Sequence, residues 1–231
     1  MWGVKRGIYS NEAGQGTAPH AAAAAEVSHP AKQGLVQAFS VYIDTLFICT
    51  ATAFMILFTF QYNVIDPNGG FLFEHLPGVS YGPEYTQLAI ESQFPGFGKI
   101  FVAIALSFFA FTTIMAYYYI AETNVSYLEH KKEKKWMIWA LRILLLTATF
   151  YGTIRSAELA WTMGDIGVGI MAWLNFIAIF MLRKPALALL KDYEKQKKEG
   201  KEPVYDPDES NLGIKNVEIW RRISARIKEN K

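Results

Sequence analysis

The chain is written as long apolar blocks separated by polar gaps. Four blocks stand out: Val36–Phe60, Ile100–Ala121, Trp136–Ile154 and Leu159–Leu182. A helix needs about 20 mostly apolar residues to cross the hydrocarbon layer of a bilayer, and each block meets that length. Inside lipid every backbone polar group must be bonded within its own segment, so the blocks are predicted to be helices. Charges within them are few: Asp44 in the first, none in the second, Arg142 in the third and Asp165 in the fourth. The pattern predicts an all-α integral membrane protein with four transmembrane helices. A segment over 1–33, holding an Ala-rich helix at His20–Val27, leads into a four-span domain over 34–183 and a basic tail over 184–231.

The gaps set the orientation. Lys5, Arg6 and Lys32 precede the first span, whereas the loop 61–98 carries Asp66, Glu74, Glu84 and Glu91 and no Lys or Arg. The next gap reads His130-Lys-Lys-Glu-Lys-Lys135, a tight turn near Arg155 and Glu158 joins the last two spans, and the chain from Arg183 onward holds more than half of the 23 basic residues. Basic residues favour the cytoplasmic side. One topology satisfies every gap: a multi-pass protein of the cell (inner) membrane with both termini cytoplasmic and loop 61–98 outside. Trp136, Trp139 and Tyr117-Tyr-Tyr119 then lie near the inner interface, and Tyr151 and Trp161 near the outer one, where amphipathic rings prefer to sit. The outer loop is Gly- and Pro-rich, with a short helix expected at Pro83–Gln93. Near the C-terminus, Val217, Trp220, Ile223 and Ile227 recur at helical spacing among Arg221, Arg222, Arg226 and Lys228. That stretch reads as a solvated helix or as a basic helix resting on anionic lipid.

Composition narrows the function. Apolar residues make up 52% and charged residues 19%, below the roughly 25% of soluble domains. The net charge of +2 gives no basic face for nucleic acid. A single cysteine, Cys49, leaves no intrachain disulfide and no thiolate metal motif. Met1–Arg6 opens no secretory signal. Enzyme signatures do not emerge. His20, His29, His75 and His130 lack metal-ligand spacing. Gly14-Gln-Gly16 is followed by Pro19 rather than a third glycine. No phosphate loop or nucleophile elbow is present. The chain is expected not to be an enzyme and to need no cofactor.

What remains is polarity within the membrane, where an ionisable side chain is costly and suggests a functional site. Asp44 lies about 13 Å into its span at 1.5 Å per residue. It reads either as a cation or proton site or a gate, or as a carboxylate that pins a backbone or hydroxyl group of a neighbouring helix. Asp165, nearer the outer surface, reads as structural, and Arg142 as a side chain that snorkels inward. Thr112 and Thr113 are adjacent hydroxyls in an otherwise apolar helix. Hard cations take oxygen ligands, so the pair could hold one; alternatively each bonds the carbonyl one turn back. Thr113 and Tyr117 are four apart and share a face.

The segment Arg6-Gly-Ile-Tyr-Ser-Asn-Glu-Ala-Gly-Gln-Gly-Thr-Ala-Pro19 resembles the signature of the sodium:alanine (alanine or glycine:cation) symporter family. So do His29-Pro-x-x-Gln-Gly-Leu35, Tyr42-Ile-Asp-Thr-Leu-x-x-Cys-Thr-Ala-Thr-Ala53, Phe109-Ala-Phe-Thr-Thr-Ile114 with Tyr117 and Glu122, and, more loosely, Asp165 through Asn175. The resemblance covers about residues 1–195. It implies the last four core helices of the inverted-repeat, leucine-transporter-type fold, in which substrate and ion lie at the midplane beside broken helices. It implies Thr112 and Thr113 as sodium ligands, Thr113 and Tyr117 as residues facing the substrate, and Asn11, Glu12, Asp44, Asp165 and Asn175 as motif polar residues. Tyr117 replaces a Trp or Asn of relatives, which bears on substrate size. Leu174 replaces a Pro before Asn175, which weakens an expected bend.

The function implied is the C-terminal part of a sodium-coupled, alternating-access symporter for alanine or glycine, inactive alone because the N-terminal helices are missing. The chain is then a fragment, half of a split gene, or a degraded gene, and a separate chain could supply the missing helices. The alternative is a non-transporting four-helix membrane protein that is structural or binds a partner.

Overall fold

The computed structural model describes residues 2–79, 81–129, 135–210, 212–214 and 216–229, and they are mostly helical. Helix α1 (Trp2–Asn11) and the short α2 (Ala18–Ala24) lead to α3 (Pro30–Ile43), which passes through a π-helical segment, Asp44–Cys49, into α4 (Thr50–Phe58). A hairpin of β1 (Asn63–Ile65) and β2 (Phe71–Glu74) and helix α5 (Pro83–Gln93) precede α6 (Gly98–Glu129). Helices α7 (Lys135–Ile154) and α8 (Ala157–Lys198) follow, and the tail holds α9 (Pro207–Ser210) and α10 (Glu218–Glu229). Four helices, Pro30–Phe58, Gly98–Leu128, Trp136–Ile154 and Leu159–Lys198, are long and apolar enough to cross a membrane. The basic gap His130–Lys134 lies outside the described residues.

The chain gathers into two compact units, one from residues up to Tyr42 together with those from Tyr151 onward, the other Ile43–Phe150. In the second unit, α5 packs on α4 and α6. The Glu91 carboxylate accepts from the backbone N–H groups of Gly96 (2.6 Å) and Lys99 (3.0 Å), fixing the start of α6. Those bonds hold its pKa below the ordinary carboxylate value. Asn63 organises the loop 61–98: its Nδ2 donates to Leu76 O (2.7 Å), and its Oδ1 accepts from His75 N (3.0 Å) and Leu76 N (2.8 Å). In the second half of α6, Tyr118 donates to Glu122 (2.9 Å) and accepts from Arg142 Nε of α7 (2.8 Å). Arg142 also stands 3.8 Å from Glu122 and lies over the Trp139 ring.

Several elements depart from the expectations of the pattern. The first span is not a uniform α-helix: from Asp44 to Cys49 its hydrogen bonds widen to the π pattern. The Ala-rich helix runs Ala18–Ala24 rather than His20–Val27, because Ala25 turns extended (φ −83, ψ 126) and Ser28 bonds the tail. The hairpin is an addition, turned by Asp66-Pro-Asn-Gly-Gly70 with Gly69 and Gly70 at positive φ, which Asn-Gly and Gly-Gly adopt readily. The helix of the fourth candidate span continues past Leu182 to Lys198, through Leu174 and Pro185. The amphipathic stretch near the C-terminus forms α10, with Arg221, Arg222, Arg226 and Lys228 exposed. Its apolar side packs on the rest of the tail: Val217 is buried and the Trp220 ring meets the edge of Tyr205 (5.8 Å).

Candidate functional site

The polar residues singled out in the sequence fall into three groups. The first lies on α6. An uninterrupted helix carries Thr112, Thr113 and Tyr117 among Phe108, Phe109, Phe111 and Ile114, all on its open surface. The Thr112 hydroxyl donates to Phe108 O (3.0 Å) and Phe109 O (3.1 Å), which is the back-bonded alternative. A hydroxyl has one proton and two lone pairs. Donating the proton to its own helix leaves the Thr112 oxygen's lone pairs pointing outward, so back-bonding and cation ligation are compatible. Thr113 lies one residue on, about 100° around the helix, and Tyr117 stands one turn after it.

The second group is the π-helical segment. Widening from four- to five-residue bonding brings Asp44 and Cys49 onto one line, with the Cys49 thiol 3.8 Å from Asp44 Oδ2. Thr50 Oγ1 donates to Thr45 O, five residues back (3.0 Å), while Thr52 returns to the ordinary spacing and donates to Ile48 O (3.0 Å). Single π turns inside α-helices recur at functional sites because they loosen local backbone bonding. Asp44 therefore occupies the one place in the first span where the helix departs from α geometry.

The third group is the glycine-rich motif after α1, in the other unit. A helix end leaves its last carbonyls unbonded. Here the motif's own side chains meet them: Asn11 Nδ2 donates to Gly7 O (2.9 Å) and the buried Gln15 Nε2 to Ile8 O (3.1 Å). Glu12 (φ 50), Gly14 (φ 78) and Gly16 (φ 87) turn the chain through left-handed conformations. The turn lays Gly16 on α8, where a Cβ would stand 3.4 Å from Asn175 Oδ1. Further along α8, the Tyr9 hydroxyl occupies the space a Gly164 side chain would need, and the Tyr9 ring meets Trp161 edge-on (5.5 Å). Asp165 follows Gly164 directly and is part-buried. Thr17 is 3% exposed and its hydroxyl has no hydrogen-bond partner among the described residues.

Sequence reasoning singled out Asn11, Glu12, Asp165 and Asn175 but passed over Gln15, Gly16 and Tyr9, which do the capping and packing around them. The signal was available. A carboxamide four or more residues after the last helical carbonyls, flanked by glycines, is what a side-chain-capped helix end looks like.

A family model for the sodium:alanine symporter family matches residues 1–207. The Bacillus subtilis (strain 168) protein YrbD is 66% identical over 96% of this chain and 45% of its own length. The sodium/proton-dependent alanine carrier protein of Bacillus sp. (strain PS3) is 60% identical over 100% of this chain and 52% of its own. The sodium/alanine symporter AgcS of Methanococcus maripaludis is 34% identical over 86% of this chain and 40% of its own. The chain thus spans about half the length of the curated relatives it matches. No solved structure matches.

Proposed function

The chain belongs to the sodium:alanine symporter family, and from that premise we propose that it forms the C-terminal part of a sodium-coupled carrier for alanine or glycine. Members of the family move solutes rather than transform them, so the chain is not an enzyme. The observation that carries the reading is the conjunction of the family match with an intramembrane hydroxyl pair on α6. Thr112 and Thr113 are offered as sodium ligands, and Thr113 with Tyr117 as the surface met by the substrate. Two neutral oxygens suit sodium, a hard cation that exchanges its water for carbonyl and hydroxyl ligands. Of Thr113 and Tyr117, Tyr117 is the residue that bears on substrate size. Asp44, in its π turn, is a candidate for the second coupling step, since a relative's name includes protons beside sodium.

In this reading the four spans are the last four core helices of an inverted-repeat fold, oriented with both termini in the cytoplasm of a cell-membrane protein. The carrier then works by alternating access around a midplane site. The sodium site needs oxygens from the carrier's earlier helices, so these 231 residues do not transport alone.

The test is uptake into proteoliposomes. Vesicles holding only this polypeptide should show no sodium-dependent alanine uptake; uptake above that of empty vesicles refutes the incompleteness. Co-expression with the N-terminal half of the Bacillus sp. PS3 carrier should restore it. In that assembly Thr113→Val should raise the sodium concentration for half-maximal uptake by about tenfold, the loss of one ligand contributing about 1.4 kcal/mol. Unchanged sodium dependence removes Thr113 from the site.

A further inference from the structure

The tail makes a set of contacts that the carrier reading does not use. Beyond α8 the chain doubles back, and the strap Pro203–Asp206 lies between the end of α8 and the junction ahead of α3. Gln196 of α8 clasps Val204 from both sides, donating from Nε2 to its carbonyl (3.0 Å) and accepting its N–H at Oε1 (3.0 Å). On the other edge Tyr205 N donates to Ser28 O (2.9 Å) and Ser28 Oγ donates to Pro203 O (2.9 Å). His29 is wholly buried there, its ring 5.4 Å from Tyr193 of α8 and 5.8 Å from Tyr205 of the strap. Its Nδ1 accepts from Ala31 N (3.1 Å), which caps α3, and its Nε2 faces Asp192 (3.3 Å).

Helix α10 backs the strap. Trp220 covers the outer edge of Tyr205, and the Asp206 carboxylate receives Ser224 Oγ (2.8 Å) and Lys228 Nζ (2.6 Å). Further charges join at the rim: Arg221 with Asp208 (3.0 Å), Lys228 with Glu209 (2.6 Å), Arg226 with Glu26, and Lys32 with Glu202. These basic residues are the ones that would otherwise face anionic lipid. Helix α10 also lies past residue 207, where the family match ends. The family model therefore reaches past the strap, and the helix that backs the strap lies beyond it.

We propose that α10 is a releasable latch, which holds the Pro203–Asp206 strap in place and thereby ties the entry of the first span, Ser28–Lys32, to the cytoplasmic extension of the fourth. Closed, it restrains movement between those two helix ends. The buried part is aromatic and insensitive to salt, but the backing helix is held at its rim by exposed ion pairs. Exposed pairs weaken as salt rises, and the Debye length falls to about 3 Å, the contact distance of these pairs, near 1 M. Rising salt therefore opens the latch by loosening α10, and the strap follows.

The experiment is hydrogen exchange by mass spectrometry on the full chain in nanodiscs, in low and high salt. Exchange at residues 28–32 and 203–206 should become several-fold faster in high salt, with α6 and α7 unchanged. Trp220→Ala should produce the same acceleration in low salt, and so should Lys228→Met, a surface change that leaves the aromatic packing intact. Exchange at 28–32 that ignores both substitutions overturns the latch. So does acceleration by salt spread evenly over all helices, or α10 gaining protection on anionic vesicles while 28–32 stays unchanged.

Discussion

His29 shows how one side chain acquires a defined chemistry from its surroundings. Its Nδ1 accepts a backbone N–H, so the proton of the neutral ring sits on Nε2, facing Asp192. Burial pushes the imidazole below its ordinary pKa of 6.5, and the Asp192 carboxylate opposes the shift without reversing it. The folded state therefore takes up its proton later than the unfolded chain as pH falls. The stabilising contribution is complete above 6.5 and is lost as pH falls from there through the folded value. Asp206 works in a different window. The Lys228 ammonium and the Ser224 hydroxyl hold its pKa down to about 2, from 3.8, so its contribution is kept above 3.8 and lost on acidification toward 2. Acid should thus loosen the tail in two steps, the first below pH 6.5 from His29 and the second below pH 4 from Asp206. Emission from Trp220, with the other five tryptophans replaced by Phe, should show both against pH; adding His29→Gln should abolish the first alone, and a single transition without that substitution would contradict the assignment.

At the scale of elements, the signature motif makes its sense as a helix end laid against α8. Gly16 sits at φ 87 with Asn175 against it, so Gly16→Ala meets the left-handed penalty of about 1–2 kcal/mol. Thermal unfolding in detergent should report that loss for Gly16→Ala and a smaller one for Gly164→Ala, where the obstacle is only the end of the Tyr9 side chain. Equal stability of Gly16→Ala and the parent would mean the turn is not held against α8. The regular elements were legible because apolar run length and charge placement are local properties. The short helix Pro83–Gln93 was legible from its flanking proline and glycines, and the structure has it at those residues. The π turn was not, because Asp44, Thr45 and Cys49 fit an α-helix equally well, and only the five-residue bonding of Thr50 to Thr45 separates the two. The hairpin's signal, Asn68-Gly69 between Val64-Ile65 and Phe71-Leu72-Phe73, was in plain view but short. Ser28 and Pro203, 175 residues apart, left no local trace at all.

For the whole molecule, the decisive property is the apolar surface that its helices leave open. Among the candidate spans, the most apolar windows are 0–6% buried, with Trp173 and Met181 about three-quarters exposed. Water would not tolerate so much contiguous apolar surface, whereas lipid, or the helices of the rest of a carrier, would. The helices alone do not choose which end faces the cytoplasm, and the proposal that both termini lie inside rests on the charge bias of the gaps. That choice is testable because the chain has one cysteine, in the π segment, and it can be removed. In a Cys49→Ala background, Gly69→Cys places a thiol on the exposed turn of the hairpin, Ala13→Cys one in the signature loop and Ala225→Cys one on the open side of α10. A maleimide that cannot cross the membrane should label Gly69→Cys in intact cells and should label Ala13→Cys and Ala225→Cys only after permeabilisation. The reverse pattern would invert the molecule. Labelling of Ala13→Cys and Ala225→Cys from opposite sides would rule out an even number of crossings, and with it the four-span reading on which the sodium site, the tight outer turn and the cytoplasmic latch all depend.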